Sequence, residues 1–157
     1  EHLCADIDDS IVANAVGTTQ LAGRLEQLAA EPCVMVDVAH NPHAARYLRS
    51  RLSQLKKARL FAICGMLKDK DAAAVLTELS IDVTHWYLTD LDVPRGATAA
   101  ALTALLPAQS QASCFENIAT AWEAVQQVAN ADDVIIVFGS FYTVAGFKAL
   151  LKGESFV

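Results

Sequence analysis

What most restricts the fold of this chain is its alternation between two textures. Short runs rich in β-branched, aliphatic and aromatic residues fall at positions 24–28, 33–38, 59–64, 85–88, 111–114 and 134–138. Longer segments with helical spacing separate most of them. One places Ala44, Leu48, Leu52 and Leu55 on one face, and a second carries Ala72, Val75, Leu76 and Leu79. A third has Ala101, Leu102, Leu105 and Leu106, and a fourth, opened by Asn117, repeats Ile118, Ala121, Trp122, Val125 and Ala129. A last helix runs through Ala145, Leu150 and Leu151. Strands alternating with helices of this length predict βαβ crossovers and a largely parallel sheet covered on both faces. The runs Val34-Met35-Val36 and Val134-Ile135-Ile136-Val137 are apolar without alternation, as strands buried on both faces must be.

Composition agrees with a packed domain. Of 157 residues, 54% are apolar and 19% charged, which leaves little chain for a solvated tail. The formal net charge of −6 argues against a broad nucleic-acid surface, which needs clustered positive charge. No stretch reaches the roughly 18 unbroken apolar residues of a membrane span, and no signal peptide is expected. The four cysteines, Cys4, Cys33, Cys64 and Cys114, form no C-x-x-C pair and are expected as reduced thiols in the cytoplasm. Asp8 and Asp9 can cap a short helix through Ile7, Ile11 and Ala15 that stops at Gly17. Residues 1–20 are therefore expected to be the end of a preceding domain and a linker, with the α/β domain at 21–157.

In a parallel sheet of this kind ligands collect at the carboxyl ends of the strands. Two junctions there carry information. In Asp37-Val38-Ala39-His40-Asn41-Pro42-His43 a carboxylate ends an apolar strand, and Asn41 can cap a helix with Pro42 at its first position. The free N–H groups of that helix would favour an anion, although the same residues also suit a plain helix start. His40 and His43 lack a third ligand of suitable spacing, so a metal site is not expected. In Phe138-Gly139-Ser140-Phe141 a glycine allows close approach to a ligand, and the Ser140 hydroxyl can hold a carboxylate or simply begin a helix. A nucleophile elbow would need a second glycine. The segment Gly65-Met66-Leu67-Lys68-Asp69-Lys70-Asp71 clusters charge after a third strand. Neither G-x-x-x-x-G-K-[ST] nor a G-x-G-x-x-G following the first strand is found, so the usual grip on a triphosphate is missing.

In order and spacing, Gly23-Arg24, Asp37-Val-Ala-His-Asn-Pro42, Gly65-Met66 with Asp69-Lys70-Asp71, Pro94-Arg95-Gly96-Ala97-Thr98 and Gly139-Ser140-Phe141 resemble the folylpolyglutamate synthase/dihydrofolate synthase family of the Mur ligase superfamily. The similarity runs from about residue 20 onward and departs at Ala22, where the family often has proline. It implies the C-terminal domain of an ATP-dependent ligase: a three-layer Rossmann-like sheet of about six mostly parallel strands, the first antiparallel. It implies ATP and Mg2+, the latter held on a central P-loop domain, with L-glutamate and dihydropteroate or folate as substrates. By the same resemblance Arg24 and Asp37 are expected at the ATP, and His40 beside the nucleotide or the incoming glutamate as the candidate catalytic residue. Ser140, Asn41 and Lys70 are expected at the glutamate. A monomer without nucleic-acid or membrane partners is expected, inactive as a separate domain. The rival readings are a stand-alone Rossmann-like nucleotide-binding module, a Mur-type cell-wall ligase domain, and a non-catalytic docking domain.

Overall fold

The computed structural model describes residues 25–153. Six strands, β1 (Glu26–Ala30), β2 (Cys33–Asp37), β3 (Leu60–Cys64), β4 (His85–Thr89), β5 (Ala112–Phe115) and β6 (Val134–Phe138), form one sheet in the order β1-β2-β6-β3-β4-β5. Strand β1 runs antiparallel to β2, and every other neighbour pair is parallel. Five helices accompany them: α1 (Pro42–Leu52), α2 (Ala72–Ser80), α3 (Ala99–Thr103), α4 (Ile118–Val128) and α5 (Phe141–Leu151). The expected three-layer sheet with an antiparallel first strand is the observed one. Residues 1–20, with the expected short helix and linker, lie outside the described residues.

The strand order follows from handedness. From β2 to β3, β4 and β5 the chain steps in one direction along the sheet, and α1, α2 and α3 pack with Met35, Ala62, Trp86 and Ile136 on one face. Between β5 and β6 it steps back, and α4 packs on the opposite face with Val36, Ile63, Tyr87 and Val137. A right-handed crossover requires this: reversing direction along the sheet obliges the helix to change face. Strand β6 thereby enters between β2 and β3, with all five of its residues buried. The unbroken apolar run at 134–138 is explained by that central place.

Boundaries differ from the expectation where tertiary contacts decide them. Strand β1 begins at Glu26 rather than Arg24, after Leu25 with φ 47°, and turns into β2 through Glu31-Pro32. Helix α1 buries Ala45, Leu48 and Leu52 and stops at Leu52, short of the expected Leu55. The Lys57 ammonium donates to the carbonyls of Leu52 and Leu55, satisfying the helix end outside the helix. Helix α3 starts two residues earlier than expected because Thr98 caps it at Ala101 N–H. Helix α4 keeps the predicted face, with Ala121 and Val125 buried and Trp122 edge-on to Phe147 at 5.0 Å. Cys33 is disulfide-bonded, counter to the expectation of reduced thiols throughout, while Cys64 and Cys114 are free. Among the described residues no helix is long and apolar enough to cross a membrane.

Ile136, at the centre of β6, is 1% exposed and has no room to relax. Ile136→Ala is expected to destabilise the fold by about 2–5 kcal/mol, from lost burial and the cavity left behind. The check is a lowered urea midpoint at unchanged m-value.

Candidate functional site

Two places on the carboxyl edge of the sheet are topological switch points, where neighbouring strands send their helices to opposite faces. The central one lies around β6. Strands β2 and β3 feed α1 and α2 on one face, and β6, between them, feeds α5 on the other. Asp37, Phe138 and Cys64 are register partners across the three strands. The loops that follow carry His40 and Asn41, Ser140, and Lys70 respectively. Asp37, His40, Asn41 and Ser140 therefore stand at the ends of adjacent strands, with Lys70 farther out in the loop after β3. The sixth expected site residue, Arg24, lies outside the described residues.

Local bonding restricts what each of them can do. Asp37 is 4% exposed, and its carboxylate accepts from Leu25 N–H at 3.0 Å and Ala39 N–H at 2.8 Å. It thus ties the start of β1 to the loop after β2. Asn41 caps α1 by accepting from Ala44 N–H at 2.8 Å, and Pro42 follows at the first helical position, as the sequence suggested. Its Oδ1 is thereby engaged, which leaves the amide N–H2 as its donor end. His40, half-buried, places Nδ1 2.8 Å from the Val38 carbonyl. A carbonyl only accepts, so Nδ1 carries the hydrogen and Nε2 is the acceptor of the neutral ring.

Ser140 caps α5, with Oγ accepting from Thr143 N–H at 3.0 Å. Its hydroxyl also lies 2.9 Å from Thr143 Oγ1, which donates to the Gly65 carbonyl at 2.8 Å. The single hydroxyl hydrogen of Thr143 being used on Gly65, the hydrogen between the two side chains belongs to Ser140. Ser140 therefore keeps one lone pair and no free donor. Local patterning could not reveal this, because Thr143 and Gly65 stand 78 residues apart.

Glycine makes the approach possible. Gly139 has φ +124°, and a Cβ there would lie 2.1 Å from the Gly65 carbonyl oxygen. A Cβ on Gly65 would come 3.0 Å from Thr143 Oγ1. Beyond Gly65 the loop carrying Lys68 and Lys70 is held to the segment before α3. Ala97 N–H donates to the Met66 carbonyl, Lys68 N–H to the Arg95 carbonyl, and Arg95 pairs with Asp69. The two charged strings at 65–71 and 94–98 are thus neighbours in space. Asp71, at the end of the first string, caps α2.

The second switch point, between β4 and β5, escaped the sequence reading. A cavity of about 330 Å³ opens there beside α5, lined by Asp90, Asp92, Glu116, Ile118, Tyr142 and Leu150 among others. It includes none of Asp37, His40 or Ser140. Its carboxylates disfavour phosphate or a dicarboxylic amino acid. Alternating β4 and β5 runs followed by acidic residues were the available signal. Cys64, at the end of β3, is no nucleophile: burial pushes its thiol far above the ordinary range. Among the described residues no group of three or more His, Cys, Asp or Glu is placed to hold a metal ion.

A doubly wound sheet with two capped helix N-termini and a charged loop at one switch point defines a Rossmann-like domain. Sequence and structure comparisons place it further. Residues 23–141 match the Mur ligase glutamate ligase domain, and the chain belongs to that family. It is 40% identical over 141 residues to the dihydrofolate synthase/folylpolyglutamate synthase of Escherichia coli strain K12, covering 89% of this chain and 33% of that protein. A crystal structure of a bifunctional folylpolyglutamate synthase/dihydrofolate synthase with Mn, AMPPNP and L-glutamate bound superposes with a TM-score of 0.79 at 44% identity, covering 86% of this chain and 32% of the other. E. coli FolC in complex with DHPP and ADP gives 0.82 at 39% identity, covering 93% and 35%. The chain thus spans about a third of the length of the curated relatives it matches.

Two outcomes follow from this geometry. Gly139→Ala combines backbone strain with collision and is expected to cost about 3 kcal/mol or more, whereas Gly153→Ala, with φ +77° and open space around its Cβ, costs about 1 kcal/mol. Urea unfolding of both variants measures the gap. Native-state alkylation followed by mass spectrometry is expected to label exposed Cys114 and leave buried Cys64 unmodified.

Proposed function

We propose that this chain is the C-terminal glutamate-ligase domain of an ATP-dependent ligase. The enzyme would add L-glutamate to dihydropteroate and to tetrahydrofolate polyglutamates. The observation that carries this reading is the central crevice, where the ends of β2, β6 and β3 bring two helix N-termini and the Lys68–Lys70 loop to one edge. The relatives support the substrate class: the curated ones are folylpolyglutamate and dihydrofolate synthases, and one solved structure carries AMPPNP with L-glutamate. Residues 21–157 form the domain in this reading. A central P-loop domain elsewhere in the protein supplies the triphosphate grip that this sequence lacks.

In the reaction a carboxylate of the pteroate or folate attacks the terminal phosphorus of ATP, forming an acyl phosphate and releasing ADP. The amine of glutamate then attacks the acyl carbon, and the tetrahedral intermediate expels phosphate. Arg24 stabilises charge on the transferred phosphoryl group, and Asp37 sets the loop beside the nucleotide and accepts from its ribose hydroxyls. His40, with Nε2 as acceptor, faces the nucleotide or the incoming amine. Lys70 and the N–H groups opening α5 receive the glutamate carboxylates, with the Asn41 amide as a further donor. Ser140 offers its remaining lone pair to the ammonium end. Mg2+ supplies charge neutralisation of the phosphates; its ligands belong to the P-loop domain, and no step is assigned to this chain through it. Closure of this domain on the P-loop domain aligns the reactants, a contribution worth several kcal/mol in such reactions, up to about 7–11. The complete protein works as a monomer.

The test is glutamate-dependent ADP release by the complete protein, with dihydropteroate or tetrahydrofolate as acceptor. Arg24→Ala and His40→Ala are expected to lower kcat about 100-fold, and residues 21–157 alone to show neither turnover nor ATP binding. Wild-type turnover in both Arg24→Ala and Asp37→Ala variants would remove the site assignment. Strong ATP binding by the separate domain would favour a stand-alone nucleotide module.

A further inference from the structure

We infer that Thr143 is a positioning residue: its hydroxyl is the pin that fixes the Gly139-Ser140 junction against the Gly65–Lys70 loop, and so sets the spacing of the glutamate site. The inference rests on the ligase reading above. Thr143 lies on the first turn of α5 and is fully buried. A threonine inside a helix ordinarily returns its hydroxyl to a carbonyl one turn back. Thr143 Oγ1 instead leaves its helix, crosses to the adjacent strand end and donates to the Gly65 carbonyl at 2.8 Å.

That bond completes a directed chain. Ser140 Oγ–H donates to Thr143 Oγ1, and Thr143 Oγ1–H donates to Gly65 O, while Thr143 N–H returns to Ser140 Oγ. All three groups are shielded from water, so each bond is costly to leave unmade. The two glycines bring the loops within reach: neither position tolerates a Cβ without displacing the other loop or the Thr143 hydroxyl. Backbone pairing alone is weaker here, since Gly65 N–H meets the Phe138 carbonyl at 3.4 Å. The hydroxyl chain is the shorter and more directional tie between β6 and the loop that carries Lys70. In the ligase reading these two segments grip opposite ends of one small amino acid, and a shift between them would weaken glutamate binding while leaving the nucleotide side intact.

The experiment compares Thr143→Val, Thr143→Ser and wild type in the complete ligase, measuring KM for L-glutamate, KM for ATP and Tm. Thr143→Val keeps the shape and removes both the donor and the acceptor; Thr143→Ser keeps the hydroxyl. Thr143→Val is expected to raise the glutamate KM about tenfold or more, from the loss of the two buried hydrogen bonds its hydroxyl makes. The ATP KM should stay within about twofold, and Thr143→Ser should match wild type on both. Where Thr143→Val does not fold, Thr143→Cys, with a weak donor of similar size, is read by the same criteria. An unchanged glutamate KM, or glutamate and ATP KM rising together in step with a fallen Tm, would overturn the positioning role. A wild-type protein that adds no glutamate would overturn the ligase reading itself, and this inference with it.

Discussion

The structure depends on the burial of one strand. Val134–Phe138 is the last strand in sequence and the most enclosed in space, between β2 and β3 and beneath helices on both faces. Its five residues leave no room for a polar side chain, and a strand without such groups is stable only where both faces are dry. Once it occupies that position, the crossover from β5 must reverse direction and change face. That reversal produces the two switch points, so ligand crevices and hydrophobic core share one cause.

At the central crevice the polar groups serve structure before they serve chemistry. Asp37, Asn41 and Ser140 each satisfy backbone N–H groups that a buried loop or helix end would otherwise leave bare. Such bonds hold side chains in one rotamer, so that whatever function remains is already oriented. They also narrow it: an oxygen that already accepts a backbone N–H has less capacity for a ligand. The positions are best understood as a rigid rim from which the charged loop at 65–71 and the helix N-termini reach outward.

The opposite end of the sheet has a different character. Arg59 lies over the Phe61 ring and pairs with Asp133, which is buried and also accepts from Asn130 N–H. Hydrogen bonding to Asp133 raises the Arg59 pKa despite the opposing desolvation. Tyr87 stacks on Phe115 and meets Phe61 edge-on, and the His85 ring closes the row with a pKa lowered by burial. The Arg59–Asp133 pair fastens the amino ends of β3 and β6, and the aromatic row runs from His85 at the start of β4 to Phe115 at the end of β5.

Much of this was readable from the residues in order. The uninterrupted apolar runs at 34–36 and 134–137 announce central strands because a side chain buried on either face must be apolar. Asn41-Pro42, Asn117 and Gly139-Ser140 announce helix starts because capping is a local transaction between a side chain and an N–H three residues on. Element type and the edge on which ligands gather follow from such short-range rules. Strand ends shifted by a residue or two because pairing partners, rather than local preference, decide where a ladder stops. The crossing of Thr143 to Gly65, the commitment of the Ser140 hydrogen and the acidic cavity beside α5 belong to the tertiary structure alone. Each joins groups far apart in the chain, and which of them meet is settled only when the handedness of the crossovers folds β6 into the middle of the sheet.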